Sequence, residues 1–364
     1  MWQAETFDPV LIDKEMAVGG QLGMTTMRIF LEDLAYSHDP AGFKNRMSTL
    51  VGIMSKYGIK PLFVFFTNGP VANPVIGIQP KPTPGEETSG WARTPSENTL
   101  GDQTKWPALQ TYVTDVVGTF ANDSRVLGWD MWNEPDDGIN LNDLMLLFPK
   151  ACDWARSMNP IQPLTSCLWK DDIWKKNRNY SAFELLQINN SDVISFHEYA
   201  DPGAFEAAIL RLQKLGRPII ATEYMARTLD STFANTLPLG KKYNIGMISW
   251  GFVNGKTQFN LDWGSAGHPN IVSPPTVWFQ DILRQDRSPY LIEEAQIMKR
   301  LNGCPLGYHS AVNNWTCYNA YDTPLSFSDA QTACKNTWSN LVTISNAFEN
   351  SDLAGKKLSF FNNI

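Results

Sequence analysis

"WDMWNEPDD" (residues 129–137) runs from large apolar side chains straight into Asn133, Glu134 and Pro135. A charge taken out of water costs several kcal/mol unless it is paired or its pKa shifts. A strand that only has to pack seldom ends this way, so the carboxylate of Glu134 reads as a working group. Strict alternation cannot turn neighbours such as Asn133 and Glu134 to the same side. A kink is therefore expected at the end of this strand, and Pro135 makes a break in regular pairing plausible.

Outward from this stretch, continuously apolar runs alternate with amphipathic ones from about residue 20 to 255. Strand-like "MTTMRIF" (24–30) precedes a helical pattern over 40–58, which ends on Gly58 as a helix cap should. "KPLFVFF" (60–66) follows, then a helix over 106–120 with Pro107 in its first turn, then the 125–135 strand. The pattern continues with helix 144–158, strand 163–169, helix 181–188, strand 192–200, helix 203–215, strand 217–226, helix 231–243 and strand 244–255. "TVWFQDILRQ" (276–285) reads as a last helix.

Such runs suit a parallel sheet covered by helices. A doubly wound sheet would usually show a glycine-rich first turn, and no G-x-G-x-x-G occurs. The expected fold class is therefore α/β, a (β/α)8 TIM barrel. Seven strands are counted where a closed ring needs eight, and the chain opens with a helix-like segment over 8–23. The first barrel strand is expected to be missing.

Composition narrows the partners. The 364 residues carry a net charge of −7 and no basic cluster, which speaks against nucleic acid and anionic membranes. No apolar run reaches the ~18 residues of a membrane span. The four histidines, at 38, 197, 268 and 309, have no short-spaced pair, no C-x-x-C or P-loop occurs, and neither metal nor cofactor is expected.

In a barrel the chemistry sits at the C-terminal ends of the strands. The polar and aromatic residues placed there are Arg28, Asn133, Glu134, His197, Tyr199, Glu223 and Trp250. Glu134 and Glu223, three strands apart around the ring, can face each other across the mouth. Glycoside hydrolysis needs such a pair: one acid to protonate the leaving oxygen, one carboxylate to attack the anomeric carbon or to activate water. Arg28 could instead pair with a structural acid such as Asp130, and Glu198 is expected to face away from the pocket.

The series "WNEP", "ATEYM" and "SWGF" resembles the clan A retaining glycoside hydrolases, most of all the family 5 cellulase and mannanase type, over roughly residues 1–300. The resemblance implies Glu134 as acid/base and Glu223 as nucleophile. It implies Asn133 on the sugar 2-hydroxyl, Arg28 and Tyr199 holding Glu223 ionised, His197 beside Glu134, and Trp250 under the sugar. The implied function is hydrolysis of O-glycosidic bonds in a β-linked carbohydrate; the rival expectation is a sugar-binding or adhesion protein on a degenerate hydrolase barrel. The loop over 254–270 could add subsites through Gln258, Trp263 or His268.

From residue 301 to 364 the chain changes character. "CPLGY" (304–308), "CY" (317–318), "FSDAQTAC" (327–334) and "LVTI" (341–344) resemble the first half of a C-type lectin-like domain. That likeness implies a disulfide between Cys304 and Cys317, a distant partner for Cys334, and no functional calcium site. Together with sequons at Asn122, Asn179, Asn189 and Asn314, it leads to the expectation of an extracellular, secreted protein, although no signal peptide is seen.

Overall fold

Strand β1 (Thr26–Phe30) pairs in parallel with β2 (Lys60–Thr67), β2 with β3 (Gly128–Asn133), and β3 with β4 (Leu164–Thr165). A second parallel sheet runs β5 (Ile194–His197), β6 (Ile219–Glu223) and β7 (Gly246–Met247). One bridge, Leu168 to Phe196, joins the two sheets, so the seven strands follow one another around an arc in chain order. Among the described residues no strand pairs with the outer edge of β1 or of β7. The computed structural model describes residues 1–136, 140–174, 178–266, 275–303, 309–310, 317–318, 323–336 and 341–342.

Local chemistry sets the helices between these strands. Proline stands in the first turn of helices Pro9–Gln21, Pro40–Lys56, Trp106–Phe120 and Pro202–Leu212, where its missing N–H costs nothing. Asp8, Asp39 and Asp201 cap three of them by accepting from backbone N–H groups. Ser181 and Glu184 form a reciprocal capping box at the start of Ala182–Asn190. Gly58, at φ +73°, ends Pro40–Lys56 two residues ahead of β2.

These helices cover two apolar cores. Under β1–β4, Phe63, Phe65 and Trp129 pack together with Tyr112, and Phe66 lies on Trp132 at 5.0 Å. Each fully buried aromatic contributes about 2–3 kcal/mol. Under β5–β7, Phe196, Phe205, Tyr224 and Phe233 form the second core.

Two expectations need correction. Residues 276–285 form no helix: the N–H groups of Phe279 and Gln280 donate to Asn260 and Phe259, and those of Ile282 and Leu283 to Phe252. Tertiary partners on the loop after β7 thus take the donors a helix would have used, and the last helix of this region is Ile292–Asn302. The strands expected over 163–169 and 244–255 shorten to the paired residues Leu164–Thr165 and Gly246–Met247, with Leu168 adding the single bridge to Phe196.

The lectin-like expectation falls largely on residues outside the described ones. There the structure gives a small antiparallel pair, β8 (His309–Ser310) with β9 (Cys317–Tyr318), and helix Phe327–Asn336. Cys304, and with it the expected disulfide to Cys317, lies outside the described residues, as does His268.

Candidate active site

The C-terminal ends of β1, β3, β5 and β6 bring six of the seven expected site residues into one hydrogen-bonded group. Arg28, on β1, is its hub. Its Nε and Nη2 donate to Asp130 Oδ2 at 2.9 and 2.7 Å, Nη2 also to Asn133 Oδ1 at 2.9 Å, and Nη1 to Glu223 Oε1 at 2.6 Å. The alternatives for Arg28 are therefore both realised, a structural pair with Asp130 and a contact with Glu223. All three side chains are nearly inaccessible, so removing one would strand a buried charge.

Glu223 ends β6. Besides Arg28 it accepts from the Tyr199 hydroxyl at 2.6 Å, and His197 Nδ1 lies 3.3 Å from the same oxygen. Burial raises the pKa of Glu223, and the charge of Glu134 adds to this, while His197, Arg28 and Tyr199 pull it back down. Burial, with the charges of Glu223 and Glu134, pushes the Tyr199 phenol up, so it keeps its proton and donates it to the carboxylate. Glu198, buried and between His197 and Tyr199 in sequence, accepts from the N–H of Ala200.

Glu134 follows β3 at φ +42°, a left-handed backbone that side-chain-bearing residues seldom adopt. This is the expected kink, and it lets Asn133 and Glu134 both reach the site. Strain of this kind persists where the surroundings fix it, and here they do: the Glu134 N–H donates to Cys167 Sγ at 3.2 Å, and its carbonyl accepts from Asn68 Nδ2 at 3.0 Å. The Glu134 side chain keeps 23% of its surface open, against 6% for Glu223. Of the two, Glu134 is the one that solvent reaches.

His197 stands between the carboxylates, its Nδ1 2.8 Å from Glu134 Oε1. Burial, with Arg28 nearby, lowers its pKa to about 3 against the opposing charge of Glu223, so the ring is neutral near pH 7. Two carboxylates can only accept, so the proton belongs on Nδ1. One oxygen of Glu134, one of Glu223 and a ring nitrogen of His197 lie within 4.8 Å of one another. This trio is also the group among the described residues that could converge on a metal ion. The Arg28 guanidinium on Glu223 would compete with such an ion for the same carboxylate.

Trp250 stands apart from this group. Its ring packs 5.5 Å from Phe30, 5.7 Å from Trp91 and 4.9 Å from Phe259, in an aromatic cluster beside β1. Trp263 lies closer to the chemistry: it is 44% exposed and meets the Tyr199 ring edge to face at 5.0 Å. Gln258 is structural, its side chain tying residues 83–86 to the loop after β7.

Sequence reasoning missed Asn68 and Glu87. Asn68 directly follows β2, so the same strand-end rule would have found it. Glu87 lies far from any strand end, is 6% exposed, and is held by its N–H to Ser265 Oγ. Burial raises its pKa to about 7, with the charges of Glu223 and Asp281 adding to the effect of burial. Nothing in the local sequence announces it.

No protein-family profile matches the chain, and a search of curated sequences finds no significant match. Solved structures do match. An exo-β-1,4-mannosidase from Opitutaceae bacterium strain TAV5 aligns at TM-score 0.56 and 15% identity, over 83% of this chain and 57% of that one. The fold is a TIM-barrel-like α/β fold. A hyperthermostable endo-1,4-β-D-mannanase from Thermotoga petrophila RKU-1 aligns at 0.53 and 12% identity, covering 80% and 94%. A β-glucosidase, 1317, aligns at 0.53 and 11%, covering 79% and 86%. In this barrel Glu134 and Glu223 stand at the C-terminal end, the face on which such folds build their sites.

Proposed function

We propose that this protein hydrolyses O-glycosidic bonds in a β-linked oligo- or polysaccharide, with net retention at the anomeric carbon. The observation that carries the reading is the approach of Glu134 and Glu223 oxygens to within 4.8 Å across a neutral His197. Retaining enzymes hold their two carboxyl groups about 5–5.5 Å apart, and inverting ones leave room for a water between them. The fold neighbours, a mannosidase, a mannanase and a glucosidase, support the same class of substrate.

The two carboxylates divide the work by environment. Glu134, the more open one, delivers a proton to the leaving glycosidic oxygen as that C–O bond breaks. Glu223, oriented by Arg28 and Tyr199, attacks the anomeric carbon and forms a glycosyl ester. Glu134, now a base, takes a proton from water, which attacks the same carbon and releases Glu223. Arg28 and Tyr199 stabilise charge that returns to Glu223, a contribution made in place before reaction. Asn133, whose Oδ1 accepts from Arg28, takes the sugar 2-hydroxyl in this reading.

Turnover of a panel of aryl β-glycosides and β-1,4-linked polysaccharides tests this reading. Activity on at least one substrate that collapses in both Glu134→Gln and Glu223→Gln is the expected result. Sugar binding without turnover, indifferent to both substitutions, would overturn it in favour of a binding protein.

A further inference from the structure

Glu134 reaches His197 Nδ1, at 2.8 Å, from a backbone held at φ +42°. In a regular strand its side chain would point opposite to that of Asn133 and leave this contact. Two neighbouring strands grip the residue from either side. Asn68, directly after β2, donates from Nδ2 to the Glu134 carbonyl at 3.0 Å. Cys167, two residues past β4, accepts the Glu134 N–H on Sγ at 3.2 Å.

Cys167 is in turn anchored from the helix layer. Gln187, in helix Ala182–Asn190, donates from Nε2 to the Cys167 carbonyl at 2.6 Å and to Ser166 Oγ at 3.3 Å. Ser166 Oγ donates to the Trp132 carbonyl at 3.1 Å, and the Cys167 thiol, kept protonated by burial, points to the same carbonyl at 3.9 Å. Ser191 Oγ closes the network by donating to the Gln187 carbonyl and accepting from the Ser166 N–H. Ser166, Cys167, Gln187 and Ser191 are all buried. Apolar side chains would fill this junction without burying polar groups. The polar ones present aim their hydrogen bonds along a line that ends on the backbone of Trp132 and Glu134.

We infer that Asn68 and Cys167, with Gln187 behind them, are positioning residues that aim the Glu134 carboxyl at the leaving glycosidic oxygen. They act through the backbone of Glu134. The inference deepens the proposed hydrolysis and rests on the acid role of Glu134 in it, but the contact it governs, Glu134 on His197, can be read without substrate. When the grip is lost, Glu134 relaxes toward ordinary strand geometry and proton delivery fails. Glu223 still attacks, because Arg28 and Tyr199 hold it separately. Substrates whose leaving groups need a proton therefore suffer far more than those that depart unaided.

The test compares Asn68→Ala, Cys167→Ala and Cys167→Ser with the unaltered chain. One readout is kcat/KM on a phenyl and a dinitrophenyl β-glycoside of the same sugar. The other, in protein with 15N-labelled histidine, is the exchange of the His197 Nδ1 proton with water. Both alanine variants are expected to lose at least about ten times more on the phenyl than on the dinitrophenyl substrate. Cys167→Ser, which keeps an acceptor, should lose less than Cys167→Ala, and the His197 proton should exchange several-fold faster in both alanine variants. Equal losses on the two substrates, or unchanged proton exchange, would overturn the positioning role. Asn68 is only half-buried, so its variant carries the test should Cys167→Ala fail to fold. Should the unaltered chain cleave no glycoside, the proposed hydrolysis fails on its own, and the proton exchange alone decides whether the grip holds Glu134 on His197.

Discussion

Two inner strands of the arc, β2 and β3, and its two edges, β1 and β7, lead different lives. On β3 every residue is buried, and on β2 all but Lys60. On β1 every residue is only half-buried, and β7 has two paired residues, one of them exposed. The site residues divide along this line: Glu134 directly follows β3 and Glu223 ends β6, each strand paired on both sides, whereas Arg28 sits on the edge strand β1 and Trp250 three residues past the edge strand β7. The chemistry is anchored where the sheet is continuous, and its electrostatic support comes from where the sheet is open. Arg28 is reconciled to its edge by three acceptors, which fix the guanidinium whatever the strand beneath it does.

The largest effects should come from the anchored pair. Glu223→Gln removes the proposed nucleophile and is expected to lower kcat by at least about 10⁴-fold. Glu134→Gln should cost about 10²–10⁴-fold, less for substrates with good leaving groups because they need little acid help. Steady-state rates on two aryl glycosides of different leaving-group acidity check both. Asp130→Ala should follow in size, destabilising the fold by about 3–5 kcal/mol by leaving Arg28 partly uncompensated in a buried site. Urea unfolding measures it. A smaller loss than an exposed ion pair would show, under about 1 kcal/mol, would contradict the hub role of Arg28.

A packing comparison sharpens the contrast itself. Phe66→Ala in the central core should cost about 3–5 kcal/mol, whereas Met27→Ala on the open edge, already half solvated, should cost about 1 kcal/mol. Equal losses would mean that the edge is as well packed as the centre. The smallest effect concerns pH. The folded pKa of Glu87, about 7, lies above its ordinary value of 4.5. The folded state therefore binds more protons between these values, and the contribution of Glu87, full below pH 4.5, is lost as pH rises through 7. Glu87→Gln should flatten the fall in stability between pH 5 and 8, read from melting temperatures across that range.

Much of the fold was legible because local chemistry and tertiary packing agree. Pro107, Pro9, Pro40 and Pro202 start helices where the apolar period begins, and β2 and β3 are apolar runs long enough to exclude other readings. The segment 276–285 misled because its Phe279, Ile282 and Leu283 carry a helical spacing, while their main-chain donors are claimed by a loop some 20 residues earlier, which no local pattern reveals. The site was legible where a polar residue interrupts, ends or directly follows an apolar strand, as Arg28 does in β1, as Asn133, His197 and Glu223 do at the ends of β3, β5 and β6, and as Glu134 does just past β3. Glu87 was not, because its burial is produced by two long loops latched through Gln258 and Ser265. The kink at Glu134 could be required on grounds of alternation alone, and its φ of +42° meets that requirement.

The central claim is that Glu223 attacks the sugar while Glu134 moves the proton. A 2-deoxy-2-fluoro β-glycoside with an activated leaving group slows the second step and lets the ester accumulate, and peptide mass spectrometry of the treated protein tests the claim most directly. The account predicts one added glycosyl mass on the peptide containing Glu223, absent from Glu223→Gln. Turnover of the parent substrate with no covalent adduct, or an adduct on any other residue, would contradict it.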